Sequence, residues 1–234
     1  MTELDTASMF TSSNRDHFNQ LAKSYQAPRS SMELAKRAAN AILRHYDFDE
    51  ESTEEGLLSQ QLAPYAKSIV GVDISQGMVD LYNASVVNQG LSPEELRAVC
   101  VDILSEGVRE DDPFGSQKFD LVVCASAYHH FESIDDVTRK LVSYLKEDGG
   151  TLMVVDLIYS ESLVNCLDEV FPEHEDGIVA HRGGFKPEAI INAFGNAGLA
   201  DVEFQPAINV KKKGHSLQLF LAKGRRTRKD IVQS

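Results

Sequence analysis

Two apolar rhythms alternate along the chain. One repeats every three to four residues, as one face of a helix does; the other is a short unbroken apolar run, as a strand buried on both faces requires. Ser30-Ser31-Met32-Glu33 has the spacing of a capping box and predicts a helix whose face is Leu34, Ala35, Ala38, Ile42 and Tyr46. A second helix is expected from Gly56 through Leu57, Leu58, Gln61 and Leu62 to Tyr65. Residues 68–73 then read as a buried strand ending in Asp73, and Ser75 caps a helix bearing Met78, Val79, Tyr82 and Val86. Residues 98–102 form another apolar run ending in an acid, and residues 119–125 a third strand. Ile134, Val137, Leu141 and Leu145 mark a helical face closed by Gly149-Gly150. Residues 151–158 follow as a fourth strand. Pro187 opens a helix carrying Ile190, Ile191 and Phe194, with Gly198 as its stop. Residues 200–210 and 216–222 close the chain as an antiparallel hairpin around Lys211-Lys212-Lys213-Gly214.

Strand–helix alternation with continuous apolar strands predicts an α/β fold: a doubly wound, Rossmann-like, mostly parallel sheet with a C-terminal antiparallel hairpin. Ligands of such sheets bind beyond the carboxyl ends of the strands, which is where Asp73, Asp102 and Ala125 to His130 fall.

Composition narrows the function classes. The 234 residues carry a formal net charge of −13. Residues 211–234 hold eight Lys and Arg against one Asp, a balance of +7, so residues 1–210 carry −20. An acidic body argues against nucleic acid as the partner, since phosphate binding calls for a basic face. No apolar run approaches the roughly 20 residues of a membrane span, and the N-terminus lacks a secretory pattern. Three widely spaced cysteines, Cys100, Cys124 and Cys166, fit core thiols in a reducing compartment. A cytoplasmic protein is expected; the run Arg225-Arg226-Thr227-Arg228-Lys229 allows a nuclear one or simply a solvated terminus.

The succession "SIVGVDIS", "CVDIL", "FDLVVCASAYHHF" and "LKEDGGTLMVVDL", with the terminal hairpin, resembles the class I S-adenosylmethionine-dependent methyltransferases, over roughly residues 15–224. Within that family it is most similar to the ubiquinone/menaquinone-methylase-like small-molecule group. The resemblance implies S-adenosyl-L-methionine as cofactor, a small-molecule methyl acceptor, a helical lid in residues 1–30, a methyltransferase-like domain in 31–224 and a basic tail in 225–234. It also implies cofactor contacts. Asp73 accepts hydrogen bonds from the ribose diol, for which an acceptor-only carboxylate is suited. Ile74 and Met78 pack on adenine, Asp102 and Ile103 read its amino edge, Ala125 and Ser126 lie along the methionine part, and Tyr25 covers the site. A solvated strand-end turn is the plainer reading of either aspartate.

The family's first strand and Gly-x-Gly-x-Gly turn have no counterpart. Tyr46 to Glu55 stand in that place, and six of those ten residues are acidic. Such a segment cannot be a central strand, because unpaired buried carboxylates cost several kcal/mol each. Either Glu50 takes the acid position and Gly56 the third glycine, or the strand and loop are absent before Gly56, which leaves the sheet without its first central strand.

Catalytic candidates are His129 and His130, which follow the strand at 119–125; an imidazole suits proton removal from an acidic hydroxyl. A structural histidine is the competing reading of each. His181-Arg182-Gly183-Gly184-Phe185 either lines an acceptor pocket or forms an ordinary glycine turn. No convincing ligand set for a metal is present. The two functional readings are a small-molecule methyltransferase and, because of the acidic segment, a catalytically inactive relative with a binding role. A third is a misassembled version of an active parent.

Overall fold

The computed structural model describes residues 3–26, 28–46, 58–105, 113–171 and 177–227. The acidic segment and Gly56 lie outside the described residues. The chain divides into two compact units: Met1–Asp102 with Asp176–Ile178, and Ile103–Glu175 with Val179–Ser234. Each is considered by itself.

Unit 1 contains α1 (Glu3–Ala22), α2 (Arg29–Leu43), α3 (Leu58–Leu62), β1 (Ile69–Asp73), α4 (Gln76–Asn88) and β2 (Leu96–Cys100). β1 and β2 pair in parallel from Ile69 opposite Leu96 to Asp73 opposite Cys100. The predicted helix after Ser75 is present for the predicted reason: the Ser75 hydroxyl accepts from the Met78 amide. The predicted capping box is not. α2 begins one residue earlier, at Arg29, with Pro28 as its N-cap and no side-chain cap. Pro28 has the extended backbone of an N-cap residue, and the Ser31 and Met32 amides bond the Pro28 carbonyl instead. β1 also departs from expectation, since it is only half-buried and Val72 is 45% exposed.

Unit 2 contains β3 (Leu121–Ala125), α5 (Ile134–Ser143), β4 (Thr151–Leu157), α6 (Glu161–Val170), α7 (Pro187–Asn196), β5 (Leu199–Lys212) and β6 (His215–Arg226). Its sheet has the order β3-β4-β6-β5, with β3 and β4 parallel and β6 antiparallel to both of its neighbours. This is the expected crossover through α5 followed by the expected terminal hairpin. β6 runs four residues past its expected end. Arg226 there donates to the carbonyls of Val142 and Leu145 at 3.3 and 2.8 Å, tying the strand to the end of α5 and the turn just after it. Six consecutive residues of β4 are buried, and Tyr128, Val137, Leu152, Phe194 and Phe220 form the surrounding core. Each such side chain contributes about 1.5–3 kcal/mol by leaving water.

The α/β class, the parallel pairings and the hairpin are therefore as predicted. The described strands nevertheless fall into two sheets, and among the described residues no strand precedes β1.

Candidate functional site

The carboxyl end of β1 places Asp73 directly before the capped α4. Its Oδ1 accepts from the Ser75 amide at 2.8 Å. Burial raises the carboxyl above its ordinary range, against the lowering pull of the Ser75 and Ile74 amides. A half-buried carboxylate at a strand end, already oriented by backbone, is a suitable acceptor for a ligand's hydroxyl groups. Ile74 and Met78 flank it, both partly buried, and the Ile74 carbonyl accepts from the Cys100 thiol at 3.4 Å.

α1 is fastened to this corner by polar contacts. Asn19 Oδ1 accepts from the Ser75 hydroxyl at 2.8 Å and from the Gly77 amide at 3.1 Å. A Cβ on Gly77 would stand 2.8 Å from the Ala22 Cβ, so the close packing of α1 on α4 requires glycine there. Arg15, one turn earlier on α1, stands 3.8 Å from Asp102 Oδ2. Asp102, expected at the ligand's edge, thus has a cation beside it that the sequence gave no reason to expect. Tyr25 lies just beyond α1 rather than within it, half-buried. The boundary between the units falls between Asp102 and Ile103, the two residues expected to read the adenine edge. Ile103 packs with the aromatic core of unit 2.

In unit 2, β3 ends at Ala125, paired with Val155 of β4. Ser126 then turns with φ of 53°, an uncommon conformation for a residue other than glycine, and its amide donates to the Val155 carbonyl at 2.8 Å. That turn leads into a short 3₁₀ segment, Tyr128–His130. His129 is 8% exposed, and its Nδ1 lies 2.9 and 3.0 Å from the two carboxylate oxygens of Asp156, which is 1% exposed. The carboxylate also accepts from the amides of His129 (3.3 Å) and Leu157 (2.7 Å). Three donors compensate the burial of its charge. An ionised carboxylate against Nδ1 puts the ring proton there and makes Nε2 the acceptor nitrogen of neutral His129.

The other predicted histidines gather at the same place. The His130 ring stands 4.2 Å from that of His129, centroid to centroid. The His129 carbonyl accepts from the amides of Ala180 (2.9 Å) and His181 (3.1 Å). Burial holds the His181 imidazole below its ordinary range, opposed by the carbonyls of Glu132 and Phe131 and by Asp156, and reinforced by His129. Its Nε2 is buried without a hydrogen-bond partner. The Gly183-Gly184 turn has a steric cause: at Gly184 (φ +89°) a Cβ would lie 2.5 Å from the Leu157 carbonyl oxygen. The turn lays Phe185 beside the end of β4, where its amide donates to that carbonyl at 2.8 Å. Among the described residues no group of three His, Cys, Asp or Glu side chains has metal-holding geometry. No described helix is long and apolar enough to cross a membrane.

Sequence reasoning missed Asp156, Asn19 and Arg15. Asp156 had a readable signal, an acid closing an apolar strand, which is the signal that singled out Asp73 and Asp102. Asn19 and Arg15 had none, since their roles depend on where α1 packs.

Comparison with known proteins agrees with this architecture. Residues 53–153 match the family described as Methyltransferase domain. An uncharacterised methyltransferase of Schizosaccharomyces pombe is 41% identical over 149 residues, 63% of this chain and 51% of that protein. A second, YcgJ of Bacillus subtilis, is 30% identical over 92 residues, 39% of this chain and 33% of the relative. The chain thus spans between about a third and about half of the length of the curated relatives it matches. Among solved structures, magnesium protoporphyrin IX methyltransferase of Synechocystis PCC 6803, determined with bound SAH, superposes with a TM-score of 0.59 at 14% identity. That match covers 96% of this chain and 99% of the other. The chain is thus similar to methyltransferases over the matched domain, and its order of strands and helices is that of a class I S-adenosylmethionine-dependent methyltransferase fold.

Proposed function

We propose that the chain binds S-adenosylmethionine and transfers its methyl group to a small molecule carrying an acidic hydroxyl. The observation that carries this reading is the His129–Asp156 pair, an imidazole whose Nδ1 is held by a buried carboxylate at the strand end where this fold does its chemistry. The residues of unit 1 fit the adenosine part of the cofactor. Asp73 supplies an oriented acceptor for the ribose diol, and Ile74 and Met78 supply apolar surface for adenine. Asp102 accepts from the adenine amino group, with Arg15 beside it on a helix that serves as the lid. Tyr25 and Gly56 are cofactor contacts by the family resemblance alone, and Gly56 lies outside the described residues. The family resemblance alone assigns Ile103, with Asp102, to the adenine edge and Ala125 and Ser126 to the methionine part.

When bound, the cofactor would supply a methyl group on a sulfonium, whose sulfur departs as a neutral thioether without needing a proton from the protein. The protein's work is then to align the acceptor oxygen and take its proton. His129 Nε2 receives that proton, and Asp156 stabilises the imidazolium that results. His130, its ring tilted against that of His129, bounds the acceptor's position.

The acidic residues 47–55 and the division of the strands into two sheets favour a second reading, a member of the fold that has lost turnover and retained binding. Incubation with methyl-labelled cofactor and a panel of phenols, enols and carboxylic acids separates the two. Label transfer that His129→Gln abolishes supports the first reading. Saturable product binding with no transfer to any acceptor supports the second.

A further inference from the structure

A second cluster of reactive side chains lies on unit 2, on residues that the proposed methyl transfer does not use. α6 is kinked at Cys166 (φ −128°, ψ 17°), and the Cys166 thiol is partly exposed. His215, the first residue of β6, sets its Nδ1 3.5 Å from Cys166 Sγ. The opposite ring nitrogen, Nε2, stands 3.5 Å from Glu169 Oε1. A sulfur nucleophile, an imidazole and a carboxylate that orients the imidazole therefore follow one another in line, the order that activates a thiol. The Ser162 carbonyl, 2.9 Å from Sγ, offers the thiol proton a second acceptor and competes with the imidazole.

The charges around the cluster come from three elements. The turn after β5 brings Lys213 Nζ to 3.0 Å from the Glu169 carbonyl, and Lys212 Nζ sits 4.1 Å above the Phe171 ring. On α6 itself, Asp168 is paired with Arg182, so Glu169 is the carboxylate that faces His215.

We infer that Cys166 is a reactive thiol, with His215 as its base and Glu169 orienting His215, and that its reaction partner is a small disulfide. The Cys166 proton passes to His215 Nδ1. The thiolate attacks one sulfur of R–S–S–R, the Sγ–S bond forms as the S–S bond breaks, and R–S⁻ leaves to take up a proton. Cys166 is thereby oxidised to a mixed disulfide and one partner sulfur is reduced, so the step balances without a further oxidant. Exchange of this kind needs a thiolate and room for a sulfur to approach, which a partly exposed thiol provides. Acyl transfer would need oxyanion donors in addition.

The test uses the intact folded chain and oxidised glutathione, with adducts at each cysteine followed by peptide mass spectrometry. Cys100, which is exposed, is the reference thiol, and Cys124, partly buried against the unit 2 core with its thiol pKa held up by burial, reports unfolding. Near pH 7, Cys166 is expected to form its adduct about tenfold faster than Cys100. His215→Gln should remove that advantage and leave Cys100 unchanged, and Glu169→Gln should remove part of it. At roughly pH 10, where thiols ionise unaided, the His215→Gln and parent rates should converge. Cys166 reacting no faster than Cys100 in the parent protein overturns the inference, whether or not the variant folds. So does a Cys166 rate that His215→Gln leaves untouched near pH 7 while Cys124 stays protected.

Discussion

The two units differ in the way they are built, and in the proposed function that difference divides the work between them. Unit 2 hangs on β4, six of whose residues in succession are buried, with aromatic side chains packed around it. Among the described residues unit 1 has two paired strands, and its β1 is half-buried with Val72 45% exposed. The buried strand of unit 2 can hold a charged group away from water, and it does so at Asp156. The open strand of unit 1 presents its carboxylate, Asp73, where a ligand can reach it. Proton chemistry needs the first environment and recognition of a hydrophilic ligand needs the second.

This contrast can be broken experimentally at several strengths. The largest effect is expected from Phe220→Ala, which empties the centre of the unit 2 core and should cost about 3–5 kcal/mol in denaturant unfolding. Asp156→Asn keeps the shape but loses the charge that fixes the His129 proton. We expect methyl transfer to fall by about 10²-fold while S-adenosylhomocysteine binding stays within about twofold, as read by single-turnover rates and calorimetry. Ser75→Ala removes both the cap on the Met78 amide and the bond to Asn19. Stability should drop by about 1 kcal/mol, with hydrogen exchange rising first in α4 and α1.

The smallest effect concerns pH. Burial holds His181 below its ordinary value of 6.5, so the unfolded chain accepts a proton that the folded chain resists. Its contribution should be complete above that value and lost as pH falls below it. His181→Phe should flatten the stability profile between roughly pH 5 and 7. An unchanged slope would mean that other groups set the acid limb.

How much of this was legible in the sequence differs between the regions for the same physical reasons. Strands β1, β3 and β4 and the terminal hairpin announce themselves because an apolar run bounded by turn residues has few other fates. α1 gave no comparable sign. Its described anchors, Asn14, Arg15 and Asn19, are polar and act through single hydrogen bonds or ion pairs to distant residues, which leave no periodicity. The start of α2 was misplaced by one residue because Ser30 and Glu33 match a cap pattern, whereas Pro28 sets the chain direction earlier. At the candidate site both histidines were singled out, yet their partner Asp156 was read only as strand. The distinction between a strand-end acid that faces solvent and one that holds a histidine lies in tertiary contact. That β1 is half-open rather than buried also escaped, since an apolar run reports what a strand can bury and not how many neighbours it receives.

The central claim is that the strand-end carboxylate of unit 1 still holds the adenosine part of the cofactor although the glycine-rich turn is replaced by acid. Calorimetric titration with S-adenosylhomocysteine tests it most directly, because the demethylated product carries the same ribose and adenine and does not turn over. The account predicts saturable one-to-one binding that Asp73→Ala weakens by about 10- to 100-fold, the loss of charge-assisted hydrogen bonds. Absence of binding by a chain that still unfolds cooperatively would contradict it, as would binding that Asp73→Ala leaves unchanged.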